Sequence, residues 1–133
     1  FVETRDLSNV VMIPRQPKEN MPKILSLCDV SLVSLKDIPL FSTVIPSKIF
    51  ESMAMSLPII ISVPEGESTQ IIRTHKAGLV IPPENPDRLA EALLKIKNDK
   101  DMYNTYAKNG FLAANKFNRK KLSIKMLYYI EDI

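Results

Sequence analysis

Short apolar runs alternate along this chain with stretches in which apolar side chains recur every three or four residues, the pattern of buried strands interleaved with amphipathic helices. Val10-Val11-Met12-Ile13, ended by Pro14, predicts a strand covered on both faces, and Val30 to Ser34 predicts a second. Ile59-Ile60-Ile61-Ser62 is the clearest strand, and Leu79-Val80-Ile81 a last, short one. Between the first two, Met21, Ile24, Leu25 and Cys28 fall at helical spacing behind Asn20, a capping residue, with Pro22 tolerated in the first turn. Pro46-Ser47 opens a helix to about Ser56 whose apolar stripe is Ile49, Phe50, Met53 and Ala54, and Leu57-Pro58 stops it.

After the third strand, Pro64 to Ser68 turns into a short helix ending near Lys76, with Gly78 suited to a left-handed stop. Asn85-Pro86 reads as an N-cap and first helical residue ahead of a helix over Asp87 to Lys97. Two more helices follow, about Met102 to Asn115 and Lys120 to Ile130, so residues 99–133 form a helical tail on a single domain spanning 1–133. Strands alternating with helices imply parallel βαβ units with right-handed crossovers, hence a doubly wound α/β sheet. Ligands of such sheets bind beyond the C-terminal strand ends, which selects the loops Pro14 to Asn20, Leu35 to Ser47 and Val63 to Ser68.

Composition narrows the function classes. With 45% hydrophobic and 25% charged residues in 133, the chain has the make-up of one globular domain. Its 18 Lys and Arg against 15 Asp and Glu leave a net charge of +3, far short of the field of a dedicated nucleic-acid binder. The lone Cys28 cannot form an internal disulfide and reads as a buried thiol in a reducing compartment, which places the protein in the cytoplasm. No apolar run approaches the roughly 18 residues needed to span a bilayer. The sequence enters at Phe1-Val2 without turn or capping residues, which predicts a chain cut from a longer polypeptide; a processed terminus would look the same.

The loop Leu35 to Ile45 is too long for a plain strand-to-helix connection, and loops of that kind are often functional. It ends on Pro46-Ser47-Lys48, where a helix start would point free N–H groups and the positive end of its dipole at a phosphate. Glu51 shares a helix face with Ser47 and Lys48 and could accept two hydrogen bonds from a ribose diol. Spacing alone leaves the plainer alternative open: Ser47 only a cap, and Lys48 with Glu51 only an exposed pair. His75, the only histidine, has no Cys or acidic partner at metal-ligand spacing and reads as an ordinary helix-end residue. Lys116, Arg119, Lys120, Lys121 and Lys125, then Tyr128 and Tyr129, suit either peripheral contact with anionic lipid or a solvated face whose tyrosines are packed or docked on another domain.

The segment IPSKIFESMAMSLPIIIS, Ile45 to Ser62, resembles the nucleotide-binding signature of family 4 (group 1) retaining glycosyltransferases, in particular bacterial sugar transferases with a Pro-Ser-Lys-x-x-Glu motif that build surface polysaccharides. The likeness continues through Gly66-Glu67, Ala77-Gly78-Leu79-Val80, Pro82-Pro83-Glu84-Asn85-Pro86 and Leu89-Ala90, with Leu27 to Leu32 upstream, and covers roughly residues 8–98. It implies a Rossmann-like parallel sheet flanked by helices, the C-terminal half of a GT-B fold, which binds a UDP-, GDP- or ADP-sugar donor. In the family a glutamate at the position of Glu51 holds the ribose hydroxyls, and the amides at Ser47 and Lys48 meet the diphosphate. Arg15 and Gln16 match the part that meets the base, although Arg15 reads equally as a solvated loop residue. Glu65, Gly66 and Glu67 would contact the donor sugar, with helix capping an alternative for Glu67 and Ser68.

Two departures from the family pattern stand out. Many relatives carry a second glutamate eight residues before the ribose glutamate; here Thr43 stands there and can hydrogen-bond a hydroxyl without supplying charge. An earlier strand, a glycine-rich turn and the acceptor domain of the family have no counterpart before Val10. The resemblance therefore implies transfer to a lipid-linked or saccharide acceptor through a domain outside this chain, in lipopolysaccharide, O-antigen or capsule synthesis. It also implies no metal or other cofactor and no catalytic side chain of certain role here, so the chain alone would be inactive. A sugar-nucleotide epimerase of the same two-domain plan and a non-catalytic binding domain remain open alternatives.

Overall fold

The computed structural model describes residues 7–131. Three parallel strands, β1 (Ser31–Ser34), β2 (Ile59–Ser62) and β3 (Gly78–Ile81), lie side by side in that order, with Ser31, Ile59 and Gly78 level at one end and Ser34, Ser62 and Ile81 at the other. Around them stand α1 (Met21–Leu25), α2 (Lys48–Ala54), α3 (Glu67–His75), α4 (Pro86–Asn98), α5 (Lys100–Ala114) and α6 (Arg119–Glu131).

The pleat of β2 divides the core. Ile59 and Ile61 point to one face, where Ile49 and Met53 of α2, Ile72 of α3 and Ala113 of α5 close over them. Ile60 points to the other face and meets Ala92 and Ile96 of α4. All three isoleucines are fully buried, each contributing about 1.5–3 kcal/mol of hydrophobic stabilisation. A strand covered on both sides reads as a near-continuous apolar run, which is why Ile59-Ile60-Ile61 was legible as one. Asn85 caps α4 as expected, its Oδ1 accepting the Arg88 N–H at 3.0 Å, with Pro86 as first helical residue.

Several expectations need correction. Val10 to Ile13 form no strand: they make no ladder and are exposed, Val11 at 80%. Among the described residues the outer edge of β1 is unpaired, and an extended segment without a neighbour has neither hydrogen-bond partners nor a face to bury. Cys28 is exposed, not buried, because α1 ends at Leu25 and leaves it in the following turn, its Sγ against the Ile24 carbonyl at 3.5 Å. Asn20 does not cap α1 through its side chain, which instead donates to Gln16 Oε1. On α2 the inward residue beside Ile49 and Met53 is Ser52, not Ala54; the Ser52 and Ser31 hydroxyls are 2.6 Å apart and fix the helix's rotation against β1.

Lys76, not Gly78, is the left-handed residue that ends α3, at φ 47°. Gly78 serves a different need: a Cβ there would lie 1.8 Å from the Ile59 carbonyl oxygen, so only glycine lets β3 start beside β2. The tail divides in two. α5 belongs to the core through Gly110 and Ala113, whereas α6 has no buried residue, and Tyr128 and Tyr129 are exposed, the latter under the Lys125 ammonium at 5.8 Å. The last residues of the tail, 132–133, and residues 1–6 lie outside the described part.

Replacing Ile60 with Ala should cost about 2–5 kcal/mol in urea denaturation, whereas Val11→Ala should stay within about 0.5 kcal/mol of wild type. A comparable cost at Val11 would show that Val10 to Ile13 form a buried strand in solution.

Candidate functional site

Because the strands are parallel and level, the helices that follow them all start at the same end of the sheet. The connection from β1 to α2 carries a 3₁₀ turn, Pro39–Thr43, before the chain reaches Ser47. Ser47 is already in the helical region (φ −59°, ψ −25°) and its hydroxyl makes no capping bond, so the plain capping alternative is not realised. Its carbonyl accepts the Phe50 and Glu51 N–H groups at 3.0 and 3.3 Å. The amides of Ser47 and Lys48 themselves find no acceptor among the described residues. Free N–H groups at a helix start, with the dipole behind them, offer a seat for an anion.

The side chains of Ser47, Lys48 and Glu51 are exposed, while Ile49, Ser52 and Met53 hold the opposite side of α2 in the core. Lys48 and Glu51 do not pair: the ion pairs among the described residues are Glu65–Arg73 and Arg88–Glu91. Both instead line a cleft of about 290 Å³ between α1 and α2, with Met21 and Leu25 on its apolar wall. The Glu51 carboxylate is thus reachable, one helical turn behind the free amides.

The turn from β2 into α3 forms a second wall at the same end of the sheet. A Cβ on Gly66 would fall 1.9 Å from the Ser42 carbonyl oxygen, so this glycine lets the turn press directly on the 3₁₀ turn ahead of α2. Thr69, fully buried, accepts the Gly66 N–H at 3.1 Å, and its single hydroxyl proton is shared between Glu65 Oε2 at 2.9 Å and the Gly66 carbonyl at 2.8 Å. The amides of Glu67 and Ser68 find no acceptor among the described residues, and the buried Ser68 hydroxyl is also unpartnered there. Glu67 is exposed at the first helical position, and Thr43 is exposed with its hydroxyl donating to the Leu40 carbonyl at 3.0 Å.

Glu65 is engaged within the protein. Both its oxygens meet the Arg73 guanidinium, Oε2 at 2.6 Å from Nη1, and the hydrogen bonds from Arg73 and then Thr69 hold its pKa at about 2 against a small opposing effect of burial. Sequence reading missed Arg73, Thr69 and Ser42. The signal for the first two was the spacing Glu65-x3-Thr69-x3-Arg73, which lines the three up along one helix stripe.

Arg15 and Gln16 are not brought to either helix start by any hydrogen bond: Gln16 donates to the Pro14 carbonyl at 3.1 Å, and Arg15 is exposed. His75 stands edge-on to Phe117 at 5.5 Å, with its pKa lowered by burial and by Lys116. No group of three or more potential metal ligands exists among the described residues.

The sequence profile of the family described as glycosyl transferases group 1 matches residues 2–113. No curated protein matches. Among solved structures, the fold is similar to sucrose-phosphate synthase from Thermosynechococcus elongatus, with a TM-score of 0.82 at 23% identity over 98% of this chain and 32% of that one. It is also similar to WaaG, a glycosyltransferase involved in lipopolysaccharide biosynthesis, with a TM-score of 0.68 at 16% identity over 85% of this chain and 29% of that one. A third likeness is to the C-terminal domain of the group 1 family protein LpcC from Francisella tularensis, with a TM-score of 0.69 at 18% identity over 89% of this chain and 59% of that one. The chain thus spans about a third of the first two structures and has the α/β, Rossmann-like architecture of half a GT-B fold.

Two measurements check this geometry. Gly66→Ala should separate the two turns, raising amide exchange across Pro39 to Thr43 while the exchange of β2 stays slow. The Glu65 carboxyl, followed by NMR, should titrate near pH 2 in place of about 4.5. Since its folded pKa is depressed, the stabilisation from its ion pair is complete above about pH 4.5 and is lost as pH falls towards 2.

Proposed function

This chain belongs to the group 1 glycosyltransferases, and from that premise we propose that it supplies the donor-binding half of a retaining enzyme that moves a sugar from a nucleotide diphosphate to a saccharide or lipid-linked acceptor. The observation that carries this reading is the pair of free amides at Ser47 and Lys48 with an exposed carboxylate, Glu51, one turn behind them.

In the proposed complex the diphosphate of a UDP-, GDP- or ADP-sugar sits against those amides and the Lys48 ammonium. Glu51 accepts hydrogen bonds from both ribose hydroxyls, a pairing that fixes the nucleotide's direction along α2. Arg15 and Gln16 lie on the side of the base. The donor sugar lies towards the second wall, where the Thr43 side chain and the amides following Gly66, including that of Glu67, are its partners.

A reaction of this class needs no protein nucleophile. The leaving diphosphate takes part in deprotonating the acceptor, and charge grows on its oxygens as the glycosidic bond to the donor breaks. Amides already aimed at those oxygens stabilise that charge without reorganising, so positioning and electrostatics supply the catalysis. The acceptor is held by a further domain, and no metal is required, because the helix start and Lys48 provide the positive charge. We place the enzyme in bacterial lipopolysaccharide, O-antigen or capsule synthesis at the cytoplasmic side of the membrane. The likeness to WaaG supports that assignment, as does the basic, exposed surface of α6 beside such a membrane. Among the described residues no helix is long and apolar enough to cross a membrane.

Calorimetric titration with UDP, GDP and ADP sugars checks the reading. One of them should bind, and Glu51→Ala should weaken it by about tenfold or more, the effect of losing charge-assisted hydrogen bonds worth ~1.5–3 kcal/mol. Equal binding by Glu51→Ala and wild type would remove Glu51 from the site.

A further inference from the structure

We propose that Arg73 is a positioning residue for donor binding: by gripping Glu65 with both arms of its guanidinium, it holds the Pro64–Gly66 turn so that the first amides of α3 stay presented at the end of the sheet where α2 also starts. This rests on the donor-binding reading and assigns Glu65 to the protein's own scaffold, not to the sugar.

Three of the roughly four acceptor sites of the Glu65 carboxylate are taken within the protein. Glu65 Oε1 meets Arg73 Nη2, and Oε2 meets both Nη1 and the Thr69 hydroxyl. The one site left over is on Oε1, so these three bonds fix the direction of the carboxylate and tie it to α3. Thr69 links this clasp to the turn, because its hydroxyl accepts the Gly66 N–H and shares its proton between Glu65 Oε2 and the Gly66 carbonyl. Gly66 in turn rests against the Ser42 carbonyl, beside Thr43. The chain of contacts thus runs from Arg73, on α3, through Glu65 and Thr69 to the turn that forms the second wall of the site.

Magnitude decides what kind of role this is. Glu65 and Arg73 are about two-thirds and half exposed, and exposed ion pairs add little to global stability. Their effect is confined to the local order of one turn. A ligand that needs that turn in one place must otherwise order it on binding, and the cost appears as lost affinity. The Ser68 hydroxyl, in the first turn of α3, is buried and without a partner among the described residues.

The test uses the chain in four forms: wild type, Arg73→Ala, Arg73→Lys, and the double swap Glu65→Arg with Arg73→Glu. Two readouts are taken, affinity for the nucleotide sugar that binds wild type, and amide exchange of Gly66 to Thr69 without ligand. Arg73→Ala should weaken binding by about fivefold and speed exchange in the turn, with the urea midpoint little changed. Arg73→Lys should recover part of the affinity, and the charge swap most of it. The proposal is overturned if Arg73→Ala leaves turn exchange and affinity at wild-type values. It is equally overturned if the swap restores turn protection but not binding, which would make Glu65 a direct ligand of the sugar. Failure of wild type to bind any nucleotide sugar would refute the functional reading instead, and turn exchange alone would then decide whether the clasp exists.

Discussion

The level, parallel pairing of three short strands is the constraint on which everything else depends. Strands that begin together and end together place every following helix start at one end of the sheet. Only there can unpaired amides from separate helices gather without being buried, since the other end receives helix C-termini and their carbonyls. Ile59, Ile60 and Ile61 make this arrangement stable by filling both faces of the central strand. Gly78 makes it geometrically feasible, because any side chain there would collide with the Ile59 carbonyl and push β3 out of level.

The two walls of the candidate site differ in how they are held. α2 is fixed from behind, by Ile49 and Met53 in the core and by the hydroxyl pair Ser52–Ser31, so its exposed face carries Ser47, Lys48 and Glu51 in a set orientation. The β2–α3 turn is fixed from within, by Thr69 and the Glu65–Arg73 pair, and from the side by the contact of Gly66 with Ser42. Apolar burial thus sets the position of one wall, and short-range polar bonds set the other. In the proposed reading this arrangement suits a nucleotide diphosphate, which presents both an anion and a diol.

What could be read from the sequence was whatever local chemistry dictates. Three consecutive isoleucines between Pro58 and the Val63-Pro64 turn favour a strand with two covered faces, and Asn85-Pro86 ahead of an amphipathic run favours a helix start, so both were legible. The placement of the candidate residues was legible too: Pro46-Ser47-Lys48 opens α2, and Glu51 lies exposed one turn further on. Features that depend on a distant neighbour were not. Val10 to Ile13 have the composition of a strand, yet a strand exists only with a partner to bond. The roles of Gly78 and Gly66 come from carbonyls far away in sequence, and the helix rotation that buries Ser52 in place of Ala54 comes from Ser31. The Glu65–Arg73 clasp escaped notice because Glu65 precedes its helix, where helical periodicity is not ordinarily applied.

Mapping the backbone amides by NMR while a nucleotide diphosphate is added tests the central claim most directly. The account predicts the largest shifts at Ser47 and Lys48, with a second group at Glu67 and Ser68. Shifts confined to the opposite end of the sheet, in the groove between Cys28 and Tyr103, or no shifts at all, would contradict it.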